Sequence, residues 1–575
     1  MGHGSSHGHP HDHPHEHPRS EAALDQGDLA AVVDMAIPDA ELSPGQVSRR
    51  QMFRRAGLLG AGLTAAGVLG TPAAASAATP RHTGGGREPR GGYLWLAGDH
   101  HIHTQHSSDG MYKVSDQVGH GAAYGLDWMV ITDHGSVAHA KIGVEKVNPD
   151  IVAARRDHKE TLVFQGLEWN IPGAEHGTVF VAPGRNEVST LKEFENGYDG
   201  SVKNAGASTP QNEALAIAGL NFLADSVRRR RVDGALFLAN HPSRKGLDSP
   251  HEIRGWRDAQ PGIAVGMEGA PGHQAAGIPR PAGPGSGRGF YDSTPGADSW
   301  PGYPPESYKT FGGFDWMTST VGGLWDSLLA EGKGWWITAN SDAHAIHADT
   351  TVRGGGDFNA DGRYDDPAYG GTLNVNAGDF WPGFYSRTHV GARSFDYLAV
   401  MEAIRQGRVW VDHGGLISAL VVRARQSGTG QLGVSLGDTL HVRKGAKVEV
   451  SIEITLAGVP NWAQVVPALA RVDVIQGDVT GPVTDPDAFT TPSTKVVSSY
   501  EVGKNSGTVT FTYKVGAVDR PVYVRLRGTD GKRSAPGLLG AAVDPHGPAI
   551  DVYGDADPWN DLWFYSNPIW IVPRG

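Results

Sequence analysis

From about residue 93 the chain sets short apolar runs directly before polar side chains. Tyr93-Leu94-Trp95-Leu96 leads to His101 and His103, Trp128-Met129-Val130-Ile131 to His134, and Leu162-Val163-Phe164 to Glu168. Ala235-Leu236-Phe237-Leu238 leads to His241, and Trp335-Trp336-Ile337-Thr338 to Asp342 and His344. Runs of this length, rich in β-branched and aromatic residues, predict buried strands. A strand period of 2 puts His101 with His103, and Asp342 with His344, on a common face. His176 differs, because it precedes its apolar run, Val179-Phe180-Val181. Helical patterns at 212–231, 323–331 and 395–406 separate several of these strands. The alternation predicts a parallel α/β architecture, with polar residues gathered at the C-terminal face of a barrel.

Past Val411 the texture changes. Leu420-Val421-Val422, Lys447-Val448-Glu449-Val450-Ser451-Ile452, Val472-Asp473-Val474-Ile475, Thr508-Val509-Thr510-Phe511 and Val522-Tyr523-Val524-Arg525-Leu526 follow one another between Gly, Pro and Asp turns. Such short runs predict an all-β, sandwich-like domain over 416–575, after a barrel over 93–415. A packing or covering role for it is expected in preference to carbohydrate binding.

The first 92 residues read as targeting and linker sequence. Residues 1–47 are polar and His-rich, and 79–92 form a Gly/Arg-rich linker. Between them, 48–78 carries Ser48-Arg49-Arg50-Gln51-Met52-Phe53-Arg54, an uncharged stretch, and the small-residue end Ala75-Ser76-Ala77. This fits a twin-arginine signal peptide, so the twin-arginine translocase is an expected partner and the mature chain is expected to be exported. The apolar stretch is short and Gly-rich, and the chain has no cysteine for a lipid; no stable membrane anchor is expected.

Six motifs carry the chemistry: Asp99-His100-His101-Ile102-His103, Ser108-Asp109-Gly110, Thr132-Asp133-His134, Gly166-Leu167-Glu168-Trp169 with His176, Asn240-His241-Pro242, and Ser341-Asp342-Ala343-His344. Histidine and carboxylate without cysteine is the ligand set of Zn, Mn or Fe hydrolytic centres. A thiolate site is excluded. The formal charge of −12 over 575 residues argues against a general nucleic-acid surface, and the run Arg228-Arg229-Arg230-Arg231 reads as a solvated helix end.

The order HxH, SDG, TDH, GxE, H, NHP, SDxH resembles the PHP (polymerase and histidinol phosphatase) superfamily of metal-dependent phosphoesterases, over roughly 92–411. The resemblance implies a distorted (β/α)7 barrel with up to three ions. It places His101, His103, Glu168 and Asp342 on one ion, and has Glu168 bridge to a second with His176 and His241. His134, His344 and Asp109 would hold the third. Asp99 and Asp133 are expected to orient imidazoles from behind, whereas His100, His106, His120 and His139 fall outside the pattern. The closing Leu562-Trp563-Phe564-Tyr565-Ser566-Asn567-Pro568-Ile569-Trp570 resembles secreted PHP relatives grouped with the carbaryl hydrolases.

From these residues we expect a small-molecule ester substrate, attacked in line by a metal-bridged hydroxide. Phosphate mono- or diesters lead, carbamates or carboxylic esters follow, and a catalytically silent binding or cell-wall protein comes third. Arg244, just past His241-Pro242, is the candidate phosphate clamp because a guanidinium matches phosphate oxygens. Arg353, Arg387, His389 and His273 are loop candidates for substrate binding, with either histidine able to protonate a leaving group. Asp357-Phe358-Asn359-Ala360-Asp361-Gly362 copies the first half of a calcium loop, with Asp357, Asn359 and Asp361 as oxygen donors, although the usual acidic twelfth position is Ala368.

Overall fold

The computed structural model describes residues 90–531 and 557–574; the twin-arginine segment, the His-rich tract and most of the linker lie outside them. The described residues all fall within one compact unit, a mixed α/β protein built on a large sheet. Among them no helix is long and apolar enough to cross a membrane.

The first part lays down strands and helices in turn. In chain order come β1 (Leu94–Asp99), α1 (Val114–Ala123), β2 (Trp128–Ile131), α2 (His139–Asp157), β3 (Leu162–Asn170) and β4 (His176–Val181). There follow α3 (Glu187–Tyr198), α4 (Pro210–Arg228), β5 (Ala235–Ala239), α5 (Pro250–Ala259), β6 (Ala264–Ala270), α6 (Leu324–Ala330) and β7 (Trp336–Ala339). Local chemistry starts the helices where they begin. Thr209 caps α4 by accepting from the Asn212 amide, with Pro210 at the first helical position. Ser249 and Glu252 form a capping box on α5, again ahead of a proline.

Strands β1 to β7 neighbour one another in sequence order. A parallel bridge between Ile102 and Ala343, just past β1 and β7, brings the first and last of them together. All neighbouring pairs are parallel except those of β4, which is antiparallel to both β3 and β5. That reversal explains why His176 precedes its apolar run: the start of β4 lies at the same edge as the ends of its neighbours. The strands are fully buried because helices cover them.

After β8 (Ser386–Ala392), α7 (Tyr397–Arg405) and β9 (Val409–His413), the elements among the described residues are nearly all strands. The strands are β10 (Ile417–Gln426), β11 (Thr439–Arg443), β12 (Ala446–Leu456), β13 (Arg471–Asp478), β14 (Lys495–Glu501), β15 (Thr508–Val518), β16 (Val522–Thr529), β17 (Trp563–Ser566) and β18 (Ile569–Arg574). Strands β10, β12 and β15 form a separate three-stranded sheet. Along β12 the buried positions alternate with more open ones, as one covered face requires. Leu420, Val422, Ile452 and Ile454 of that sheet share a core with Val474, Val524, Leu526 and Ile571 of the large one.

Residues 415 and 416 do not mark a break in the sheet. Strand β9 pairs with β8 on one edge and with β17 on the other, so the large sheet runs from the N-terminal strands into the C-terminal ones. Trp95 and Trp410 belong to the same core as the C-terminal strands.

Candidate metal centre

Strand ends gather the nine expected ligands into overlapping groups whose donor atoms lie within 4.8 Å of one another. One group is His101, His103 and Asp342; a second is His101, Glu168 and His241; a third is His134, Glu168 and His176. His103, Asp109, His134 and His344 form a fourth. Glu168 is the hub. Its Oε1 lies 3.0 Å from His101 Nε2, 3.2 Å from His241 Nε2 and 3.3 Å from His176 Nδ1, and its Oε2 lies 2.8 Å from His134 Nδ1. Asp342 Oδ1 is 3.1 Å from both His101 Nε2 and His103 Nε2. Asp109 faces His134 at 3.2 Å and His344 at 3.4 Å.

The donor set fits divalent ions on its own evidence. His103 Nε2, Glu168 Oε2, His176 Nδ1, His241 Nδ1 and Asp342 Oδ1 are buried without a hydrogen-bond partner, a costly state that a bound cation relieves. The backbone is also held against its preference here: His241 has φ 31° and Asp342 has φ 48°, and such strain persists where surrounding structure enforces it. Gly272 is part of that enforcement, since a Cβ there would lie 2.1 Å from Asp342 Cβ.

Carboxylates behind the ligands fix the imidazoles. Glu268, at the end of β6, accepts from His101 Nδ1 at 2.8 Å and from the His241 amide at 2.8 Å. That contact leaves His101 Nε2 for Glu168 and Asp342. Ser107 Oγ lies 3.1 Å from His103 Nδ1 and donates to Asp109 at 2.9 Å, while Asn240 donates to Glu168 Oε1 at 3.0 Å. Asp99 and Asp133 act differently from expectation. Asp99 accepts from the amides of His101 and Ser341, and Asp133 from the amide and hydroxyl of Thr104, so both hold backbone and not rings. His100 is buried against Thr178 and Thr338, His106 pairs with Asp150, His120 stacks on Trp381, and His139 pairs with Glu195.

The other expected catalytic residues divide. His273 reaches the cluster, with Nε2 2.9 Å from Asp342 Oδ2 and Nδ1 on Asp379. Arg244 lies beside it but is engaged: its Nη2 donates to Glu175 Oε1 at 2.6 Å, where Lys245 also donates at 3.2 Å. Glu175 forms a further close group with His176 and His241. Arg387 and His389 point elsewhere. Alternation along β8 sets both opposite Thr388, whose hydroxyl bonds Ala339 of β7. Arg387 donates to the carbonyls of Gly383 and Tyr124, and His389 pairs with Asp412 and stacks on Trp410 at 3.6 Å. Arg353 donates to the Asp109 carbonyl and lies over the Tyr364 ring.

The segment compared with a calcium loop folds as a short helical turn. Phe358–Asp361 is a helical turn capped by the exposed Asp357, whose side chain accepts from the Asn359 amide. Helical steps of about 100° set Asn359 on a different side of the turn from Asp357 and Asp361. Gly362, at φ 65°, ends the turn instead of folding a loop around an ion.

Electrostatics in the metal-free cluster are tightly opposed. Burial pushes Glu168 up, yet the imidazoles of His134, His101 and His176 outweigh it and hold the carboxyl well below its usual range. Burial likewise opposes, and His101, His273 and His344 overcome, for Asp342. His101 and His134 are raised well above ordinary histidine, burial being outweighed by the carboxylates around them. His103 and His241 are driven down to about 3, mainly by burial. The signs give a prediction. The depressed carboxylates stabilise the metal-free fold above about pH 4 and lose that effect as acid carries them through their lowered values. The raised histidines stabilise it fully below about pH 6.5 and lose that effect as pH rises. Below about pH 6.5 the depressed His103 and His241 oppose that effect, so chelated protein is expected to weaken as pH rises above about 6.5, and added Zn²⁺ or Mn²⁺ to stabilise it increasingly over that range. Thermal melts from pH 5 to 9, with and without metal, measure this; a stabilisation by metal independent of pH would refute it.

Residues 99–216 match the family model of the PHP domain. That stretch carries His101, His103, Asp109, His134, Glu168 and His176. Among solved structures, a two-domain protein from Bacteroides vulgatus containing a predicted PHP-like metal-dependent phosphoesterase is 14% identical, with a TM-score of 0.30; the likeness covers 80% of this chain and 94% of that one. No curated protein matches. The stretch similar to the PHP domain, 99–216, thus holds six of the nine candidate ligands.

Proposed function

We propose that this chain is a metal-dependent hydrolase, exported by the twin-arginine translocase, that cleaves phosphate mono- or diesters of small molecules. The observation that carries the proposal is the Glu168 hub: one buried carboxylate within 3.3 Å of four imidazoles, surrounded by buried donors that lack partners. Two or three divalent ions, held by His101, His103, Asp109, His134, Glu168, His176, His241, Asp342 and His344, account for that arrangement. When bound, such ions supply charge neutralisation at a phosphoryl group and acidify water. The chain's own groups do the rest. Glu268 fixes the His101 ring and the His241 backbone. His273, held by Asp379, is driven up to about 10, burial being outweighed by Asp379 and Asp342, so it carries a proton toward the Asp342 side of the cluster. Arg244 and Lys245 bring cations to the other side.

A second reading, hydrolysis of a carbamate or carboxylic ester on the same site, rests on one contact. Glu175 already neutralises Arg244, which leaves less charge for a phosphate dianion. The similarity of the closing segment to the carbaryl-hydrolase group favours the same reading. Metal analysis of protein purified without chelator is expected to give two to three ions per chain; one or fewer would sink the multinuclear reading. A panel of p-nitrophenyl phosphate, bis-p-nitrophenyl phosphate and 1-naphthyl N-methylcarbamate then separates the substrates. Turnover of a phosphoester with competitive inhibition by inorganic phosphate supports the first reading. Carbamate turnover with neither supports the second.

A further inference from the structure

The turn Arg288-Gly289-Phe290-Tyr291 presents an aromatic ring beside the metal centre, and four observations indicate that it does so for a ligand. Phe290 is 39% exposed, although its neighbours Arg288 and Tyr291 are buried. It has φ 49°, in the left-handed region, immediately after Gly289 at φ 84°. Its ring centre lies 5.6 Å from that of His273, which contacts Asp342. The ring also packs over Gly378, where a Cβ would lie 2.0 Å from Phe290 Cε2, next to the Asp379 that holds His273.

The strain is imposed from both sides. Arg288 is fully buried and all its nitrogens are used: Nε donates to Gln274 Oε1 at 2.9 Å, Nη1 to Asp561 Oδ2 at 3.1 Å, and Nη2 to Tyr385 Oη at 2.9 Å. Tyr291 donates its hydroxyl to Asp315. The Gly289 amide donates to the His273 carbonyl at 3.1 Å. Two buried anchors with two left-handed residues nearby force the phenyl outward. A non-glycine residue in that conformation costs about 1 kcal/mol or more, and a phenyl left 39% exposed recovers only part of the usual gain from burial to offset it. Strain of this kind gathers at ligand sites.

We propose that Phe290 is a specificity-determining residue: its exposed face forms the wall that receives an aryl or similarly flat apolar portion of the substrate, beside the atoms that react. This rests on the hydrolase reading of the same site and names the substrate class within it. It also gives the C-terminal segment a part in the site, since Asp561 holds the arginine that shapes the turn.

Binding of phenylphosphonate and methylphosphonate to the metal-loaded enzyme tests the proposal without turnover. Phe290→Ala is expected to weaken phenylphosphonate roughly tenfold or more while changing methylphosphonate less than about twofold; Phe290→Tyr should keep wild-type preference. Metal content should not fall, because Phe290 is not among the candidate ligands. Equal weakening of both phosphonates would show that the ring acts only through His273 and overturn the proposal, as would no change in either. If the wild type binds neither phosphonate, the phosphoester reading fails by itself. The comparison of 1-naphthyl with methyl N-methylcarbamate turnover then decides on Phe290: selective loss on the naphthyl ester supports the wall, and an equal or absent loss overturns it.

Discussion

Glu168→Ala is expected to abolish metal loading and turnover together, lowering activity by at least about a thousandfold, on the order of 4 kcal/mol of transition-state stabilisation. The residue is 1% exposed, so no water replaces the lost carboxylate cheaply. Its removal leaves His101, His134, His176 and His241 facing one another with no anion between them, and repulsion among any protonated rings adds to the lost ligation. Glu168→Gln keeps the shape and one oxygen, so it should restore packing but not metal. Inductively coupled plasma analysis of the two variants, beside turnover, checks this. Full metal content in Glu168→Ala, or an activity loss below about tenfold, would remove Glu168 from the bridging role. Truncating a ligand that serves a single ion, such as His176, should cost less metal per chain.

The candidate ligand positions were legible because they obey a short-range rule. A polar side chain directly after a buried strand has few places to point, and period 2 tells which neighbours share its face. The same rule reaches Glu268, which follows Ala264-Val265-Gly266-Met267, although the resemblance carried no motif there. His176 broke the rule visibly, and the reversed direction of β4 is the reason. Asp379 and Glu175 left no such signal. Asp379 comes from a long irregular segment and meets His273 across more than a hundred residues, a contact that no local pattern encodes.

The same limit governs Arg387 and His389. Their proximity to an apolar strand was readable, but not which face of β8 looks inward, since both faces are covered and alternation gives no contrast. The C-terminal strands were readable as strands. Their merger with the catalytic sheet was not, because β9 meets β17 across some 150 residues. Arg525 and Arg527 in Val522-Tyr523-Val524-Arg525-Leu526-Arg527 look in sequence like the wet face of an edge strand. In the fold both are buried, Arg527 on Asp473 and Arg525 on Asp326.

That last pair supports the second large expectation, a loss of about 3–5 kcal/mol of stability in Asp326→Ala. Asp326 lies on α6 and Arg525 on β16, both with fully buried side chains. Arg525 donates from Nε to Oδ1 at 2.8 Å and from Nη2 to Oδ2 at 2.6 Å. Asp326 also accepts from Tyr523 at 3.0 Å and from the Gly322 amide at 2.8 Å. Truncation strands a guanidinium whose Nη1 already lacks a partner, and the remaining contact with the Trp325 ring at 4.5 Å, worth about 2 kcal/mol, does not replace the lost carboxylate. Urea unfolding should show a lower midpoint. The double change Asp326→Leu with Arg525→Met, which removes both charges and fills the space, should recover most of it. Because the pair joins the catalytic half to the C-terminal strands, both halves should unfold in one transition. Separate transitions, with metal retained through the first, would show the C-terminal strands to be a dispensable attachment.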